Sequence, residues 1–290
     1  MPKRVLIQLD GDAQPSTFDS VVAVDAGVDV LLRHGGVTAE GVVALVHGAM
    51  FTRGGADLAS TAIFIGGSDV ARAEEMLDRV RKTFFGPVRV GVLLDPAGAN
   101  TTAAAAVLAA TRHVPLAAGE RCGAVVLGGT GPVGQRVARL LTRGGAEVTL
   151  VSRSAERAEA VAARIRTDVA GATIRAIDEA GLAAGGATGA LATARIVVAA
   201  GAAGVTLLDE PRRRESGAAV FIDLNAVPPA GIEGVSAADK GRTCGAAVCY
   251  GALGVGGLKM KIHRAAIDRL FAPDAPVLDA EELLALGAEL

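Results

Sequence analysis

The sequence predicts an α/β protein of two domains, a smaller α/β amino-terminal domain and a second domain built on a parallel sheet, with a cleft between them. Three observations predict it. The 290 residues fit two domains of ordinary size, since single cores stop growing at roughly 250–300 residues. Apolar residues make up 51% of a chain with 38 glycines, one tyrosine and no tryptophan, which describes cores of small aliphatic side chains rather than disorder. In the second half, short strand-like runs alternate with helical segments of roughly ten to fifteen residues, the pattern of a parallel sheet covered on both faces.

In the first half, Arg4 to Leu9 and Ser60 to Ile65 read as buried strands. Gly66-Gly67 ends the second, and Ser68 is the expected N-cap of a helix whose Val70, Met76, Leu77, Val80 and Phe84 share one face. Phe85-Gly86-Pro87 stops that helix; Val88 to Leu94 is the next strand, closed by the turn Asp95-Pro96-Ala97-Gly98. Thr101 to Arg112 is Ala-rich and helical, with Asn100 as its cap, and is expected to cross between the domains. Pro115 and Ala117-Ala118-Gly119 place the boundary near 115, giving a first domain of 1–115, a second of 116–257, and carboxy-terminal helices over 258–290 that are expected to return to the first domain.

The second half reads as strand Ala124 to Leu127, a glycine loop, helix Val133 to Arg143, strand Glu147 to Val151, helix Ala155 to Arg166 and strand Thr173 to Ile177. Strands at Ile196 to Ala199 and Val220 to Leu224 follow. Gly251 to Gly257 reads as a glycine-rich bend before a helix over about Leu258 to Leu270. Asp279-Ala280-Glu281-Glu282 has capping-box spacing and opens the last helix.

A net charge of −2, with acids and bases interspersed, leaves no footprint for nucleic acid or an anionic membrane. The apolar stretch near the amino terminus is too short for a signal peptide, and no apolar run reaches the ~18–20 residues of a membrane helix, so a cytoplasmic location is expected. Cys122, Cys244 and Cys249 form neither a CxxC pair nor an even-numbered framework and read as buried small hydrophobes. His34, His47, His113 and His263 are scattered, and no metal site is expected.

Gly129-Thr130-Gly131-Pro132-Val133-Gly134 has the GxGxxG spacing directly after a strand and at the opening of a helix. In that setting glycines permit a tight turn and the close approach of backbone amides to a pyrophosphate, which the helix N-terminus also favours. The following strand ends in Ser152-Arg153. An acid there would hold the ribose hydroxyls of NAD, whereas a hydroxyl and a fixed cation suit the 2′-phosphate of NADP, with Arg157 one turn onward either a second cation for it or a solvated surface arginine. Ala200 and Gly201, after a further strand, are placed to approach the cofactor, with a simple loop as an equal alternative. So are Asp223 and Asn225, for which turn formation is an equal alternative.

Six segments resemble one family: Phe51-Thr52-Arg53-Gly54-Gly55, Ser60 to Gly67, Phe84 to Pro87, Asn100 to Ala105, Gly129 to Gly134, and Gly251 to Arg264. Together they resemble the NADP-dependent methylene-tetrahydromethanopterin/methylene-tetrahydrofolate dehydrogenases of methylotrophic bacteria. The resemblance implies reversible hydride transfer from the methylene bridge of a reduced pterin to NADP+ in one-carbon metabolism, with no metal or flavin. It also implies a pterin bound in the interdomain cleft, and a homo-oligomer, a trimer. It makes Lys259 the principal catalytic candidate and Thr102 the second, and places Asp95 and Asn100 near the pterin; Arg53 either binds the pterin's acidic tail or is a surface charge. Asn100 and Asp95 have cap and turn formation as alternatives; for Lys259 the weaker alternative is a solvated lysine at a helix start, an unfavourable place for a cation.

Two rivals remain at this level. A shikimate-dehydrogenase-like reductase shares the layout but finds no supporting motif. An NADP(H)-sensing protein without turnover would need neither Lys259, Thr102 nor the Gly251 to Arg264 segment. A Tyr-x-x-x-Lys cyclohydrolase pair is excluded, because the one tyrosine, Tyr250, has Gly254 four places on.

Overall fold

The computed structural model describes residues 2–116, 122–185 and 189–290; Ala117-Ala118-Gly119 lie outside them. In chain order the elements are β1 (Val5–Asp10), α1 (Thr17–Asp25), β2 (Val30–His34), α2 (Val42–Phe51), β3 (Thr61–Gly66), α3 (Val70–Thr83), β4 (Gly91–Leu94) and α4 (Ala99–Thr111). Then follow β5 (Gly123–Leu127), α5 (Pro132–Arg143), β6 (Glu147–Ser152), α6 (Ala155–Asp168), β7 (Ile174–Asp178), α7 (Glu179–Ala184), α8 (Ala190–Thr193), β8 (Ala194–Ala199), α9 (Glu210–Glu215) and β9 (Val220–Asp223). The chain continues through β10 (Lys240–Cys244), β11 (Ala247–Tyr250), α10 (Ala252–Arg269), β12 (Val277–Leu278) and α11 (Ala280–Ala288).

Two compact units result. One comprises Met1–Thr101 and Met260–Leu290, the other Thr102–Lys259. The chain changes unit inside α4 and inside α10, at 101/102 and 259/260, where the sequence suggested 115 and 257.

The first unit holds a parallel five-stranded sheet in the order β12-β4-β3-β1-β2. Its core joins Leu9, Ile63, Ile65 and Val92 to Met76, Leu77 and Val80 on the apolar stripe of α3. Each such buried side chain contributes about 2 kcal/mol. The cap of α3 is Asp69, whose carboxylate accepts from the Arg72 amide, and not Ser68 as expected. Ser68 instead donates its amide and hydroxyl to Asp12. The capping box on α11 forms as its spacing predicts.

The second unit holds a seven-stranded sheet in the order β10-β11-β9-β8-β5-β6-β7. It is parallel except for the β10–β11 hairpin, which the sequence reading missed. Two expectations fail here. Cys244 and Cys249 are not inert hydrophobes: the antiparallel register puts them diagonally across the hairpin, 6.2 Å apart at Cα, and they are disulfide-linked. Only Cys122 is a buried free thiol among the described residues. The glycine-rich stretch after Tyr250 is not a bend but the first two turns of α10. Two of its glycines are required by neighbouring backbone, since a Cβ on Gly251 would lie 2.0 Å from the Ser236 carbonyl oxygen and one on Gly254 1.9 Å from that of Asp239.

No helix among the described residues is long and apolar enough to cross a membrane.

Candidate functional site

Strand order in the second unit reverses at β5: β6 and β7 lie to one side, β8 and β9 to the other. In doubly wound sheets the ligand crevice opens at this reversal, beyond the carboxyl ends of the strands. A cleft of about 550 Å3 occupies that place, a volume within the usual range for small-molecule sites.

Its floor is the turn from β5 into α5. Gly128, Thr130, Gly131 and Pro132 line it, whereas Gly129 and Gly134 stand behind. A Cβ on Gly129 would lie 2.5 Å from Leu150, and one on Gly134 2.7 Å from the Gly128 carbonyl oxygen, so both glycines let the turn seat against β6 and against itself. Val133 lies in the first turn of α5 without lining the cleft. That helix starts at Pro132 with no side chain capping it, so backbone N–H groups of its first turn stay available to an anion. The Gln135 amide group donates to the Thr130 carbonyl at 2.7 Å and holds the turn from the helix side.

Gly128 precedes the motif and was not singled out, yet it carries the stricter demand. Its φ is +68°, and a Cβ there would sit 2.4 Å from the Gly201 Cα. The turn after β5 and the turn after β8 therefore touch through backbone alone. Gly128→Ala is expected to weaken dinucleotide binding at least tenfold and to lower the thermal midpoint, because αL strain and a backbone clash combine. Calorimetric titration alongside thermal unfolding checks this.

One side of the cleft is polar. Ser152, Arg153, Ser154 and Arg157 line it, with Glu179 joining from the end of β7. Ser152 is buried and its hydroxyl is hydrogen-bonded to the Thr130 hydroxyl at 3.1 Å, which ties strand end to glycine turn. Ser154 caps α6 through the Arg157 amide, and this turn carries the two guanidinium groups to the same rim. Among the described residues neither guanidinium has a carboxylate or carbonyl partner. The opposite wall is apolar and consists of Ala200, Gly201, Ala202, Val205 and Leu207.

Asp223 and Asn225 do not line this cleft. The two Asp223 carboxylate oxygens accept from the Asn225 and Ile232 amides, both at 3.0 Å, and burial pushes its carboxyl up against the lowering pull of these bonds. Asn225 accepts from Val227 and donates to the Pro229 carbonyl. Both residues shape the loop after β9.

In the first unit, Asp95 is fully buried and serves α4: its carboxylate accepts from the Asn100 and Thr101 amides and from the Thr101 hydroxyl at 2.6 Å. Asn100 is inside α4 rather than at its cap, and donates to the Leu94 carbonyl and to Asp279. Arg53 donates to the Lys3 and Ser60 carbonyls, which fixes it against the β1 and β3 starts, at the rim of an apolar pocket of about 460 Å3. Thr102 and Lys259 are half-buried. Lys259 is not at a helix start: it lies two turns inside α10, away from the unfavourable positive end of the dipole. Thr102 is the first residue of the second unit and Lys259 the last. The Tyr250 hydroxyl is 2.9 Å from the His113 Nε2.

A family model described as methylene-tetrahydromethanopterin dehydrogenase, N-terminal, matches residues 17–97. Two proteins of Methylorubrum extorquens align over the full chain. The bifunctional protein MdtA is 45% identical over 297 residues, covering all of both chains. An NAD(P)-dependent methylenetetrahydromethanopterin dehydrogenase is 32% identical over 299 residues, covering 100% of this chain and 99% of its own. Among solved structures, quinate dehydrogenase from Corynebacterium glutamicum in complex with NAD superimposes with a TM-score of 0.52 at 16% identity, over the whole of both chains, which is a likeness of fold. Full-length identity at these levels, joined to a Rossmann-type cleft at the strand reversal, places the chain in the methylene-tetrahydromethanopterin dehydrogenase family.

Proposed function

We propose that this protein is an oxidoreductase that dehydrogenates the methylene form of a reduced pterin, methylene-tetrahydromethanopterin or methylene-tetrahydrofolate, with NADP+ as hydride acceptor. The observation that carries this reading is the pair of guanidinium groups at the end of β6, facing the same cleft as the glycine turn. A 2′-phosphate suits that corner, the pyrophosphate suits the amides at the start of α5, and the nicotinamide supplies a two-electron acceptor when bound.

On this reading the methylene C–H bond breaks with both electrons leaving as hydride, and the flanking nitrogen lone pairs of the pterin take up the positive charge of the methenyl product. No strong general base is needed, so the protein's own contribution is orientation and field. Arg153 and Arg157 anchor the dinucleotide, the floor glycines admit it, and Thr102 and Lys259 orient the pterin. Asp95, Asn100 and Arg53 support the substrate unit by fixing α4 and the strand starts. The protein works as a homo-oligomer, in the trimeric form that the family resemblance implies.

Purified protein is expected to reduce NADP+ when given either methylene-pterin, followed by NADPH absorbance, and to do so much faster than with NAD+. Tight NADP+ binding without turnover on both carriers would instead favour a sensor.

A further inference from the structure

Among the described residues Glu179 is the one acidic side chain lining the cleft, among cations and hydroxyls. Its place follows from register. β6 and β7 run parallel with Ser152 opposite Asp178, so Arg153 and Glu179 each follow the carboxyl end of one of two adjacent strands, about 4.8 Å apart. Asp178 caps α7 through the Gly181 amide and so fixes the turn that carries Glu179. Among the described residues Glu179 forms no ion pair with Arg153 or Arg157.

A carboxylate beside a 2′-phosphate corner works against phosphate binding by like-charge repulsion. It is accounted for if a ligand donor meets it. NADP+ carries one at the adenosine end: the exocyclic amino group of adenine, the base's hydrogen-bond donor. The ring itself needs an apolar surface, and Val205, 46% exposed, together with Leu207 and Ala202 lines the opposite wall of the same cleft. Extending the cofactor reading above and resting on it, we propose that Glu179 reads the adenine base by accepting a hydrogen bond from its amino group.

The prediction separates base from phosphate. Nicotinamide hypoxanthine dinucleotide phosphate keeps the 2′-phosphate but replaces the amino group by a carbonyl oxygen and shifts the base's donor to N1, so at the 6-position an acceptor would face the carboxylate. Wild-type protein is expected to bind NADP+ about tenfold tighter than this analogue, the scale of a charge-assisted hydrogen bond at an exposed site. In Glu179→Ala, NADP+ and NAD+ both weaken about tenfold, the hypoxanthine analogue is unchanged, and the preference collapses. Glu179→Gln, whose amide can accept from the amino group or donate to the analogue's carbonyl, keeps NADP+ binding near wild type while the preference narrows. Glu179 is exposed, and circular dichroism with thermal unfolding checks that each variant keeps the wild-type fold.

Three results overturn the inference: tighter NADP+ binding in both variants, which marks a purely electrostatic role; loss confined to NAD+, which marks a contact with the ribose hydroxyl; or equal loss on all three ligands, which marks a structural role. If wild-type protein binds neither NADP+ nor NAD+, the cofactor reading itself falls and this one with it. NADP+ binding with no base preference in the wild type sinks the Glu179 inference alone.

Discussion

Arg153→Asp is expected to weaken NADP+ about a hundredfold and NAD+ no more than a few-fold, measured by calorimetric titration at one fixed ionic strength. The substitution removes a planar cation suited to phosphate oxygens and sets a carboxylate in its place, so attraction turns to repulsion for a ligand charge that only NADP+ carries. Arg153 is exposed, and its contribution is therefore screened. The gap between the two cofactors should narrow as salt rises and the Debye length falls toward 3 Å at about 1 M. Arg157→Ala, with a second cation left in place, is expected to give a smaller change in the same direction. Equal weakening of NADP+ and NAD+ would reject the phosphate contact.

Lys259→Ala is expected to lower kcat with a methylene-pterin by about a hundredfold while NADP+ affinity stays within a few-fold of wild type. Lys259 is half-buried two turns inside α10, so the truncated chain keeps its helix. A fixed ammonium that orients a substrate or sets the local field is worth this much when it acts at the chemical step. A rise in KM alone, with kcat unchanged, would mark uniform binding instead. An unaltered rate would remove Lys259 from the reaction, and Thr102→Val would then be the remaining probe of the proposed pterin contacts.

What the sequence made legible depended on whether the physical cause was local. The β5, glycine turn and α5 unit could be read directly, because a continuous apolar strand, a glycine triplet and an amphipathic helix are neighbours in the chain. β2 escaped notice because it is an edge strand with Leu32 and Arg33 exposed. β12 has two residues, and the polar β10 carries no hydrophobic alternation. The start of α10 was misread because glycine's poor helix propensity is overridden by backbone packed against Gly251 and Gly254.

The site divided along the same line. Asp95, Asp223 and Asn225 follow strand ends and Asn100 opens a helix, places where ligand contact and local bracing look alike in sequence; their hydrogen-bond partners show the bracing. Glu179 was invisible for a different reason. It lies 26 positions beyond Arg153 and becomes its neighbour only through the parallel pairing of β6 with β7.

The first unit's sheet takes its outermost strand, β12, from a segment that a ribosome makes only after the whole of Thr102–Lys259. During synthesis, then, the intervening unit has all its strands in hand while β4 still waits with an open edge. The expected order of maturation is inner unit first and flanking unit second, with the emerging chain most prone to aggregate in that interval.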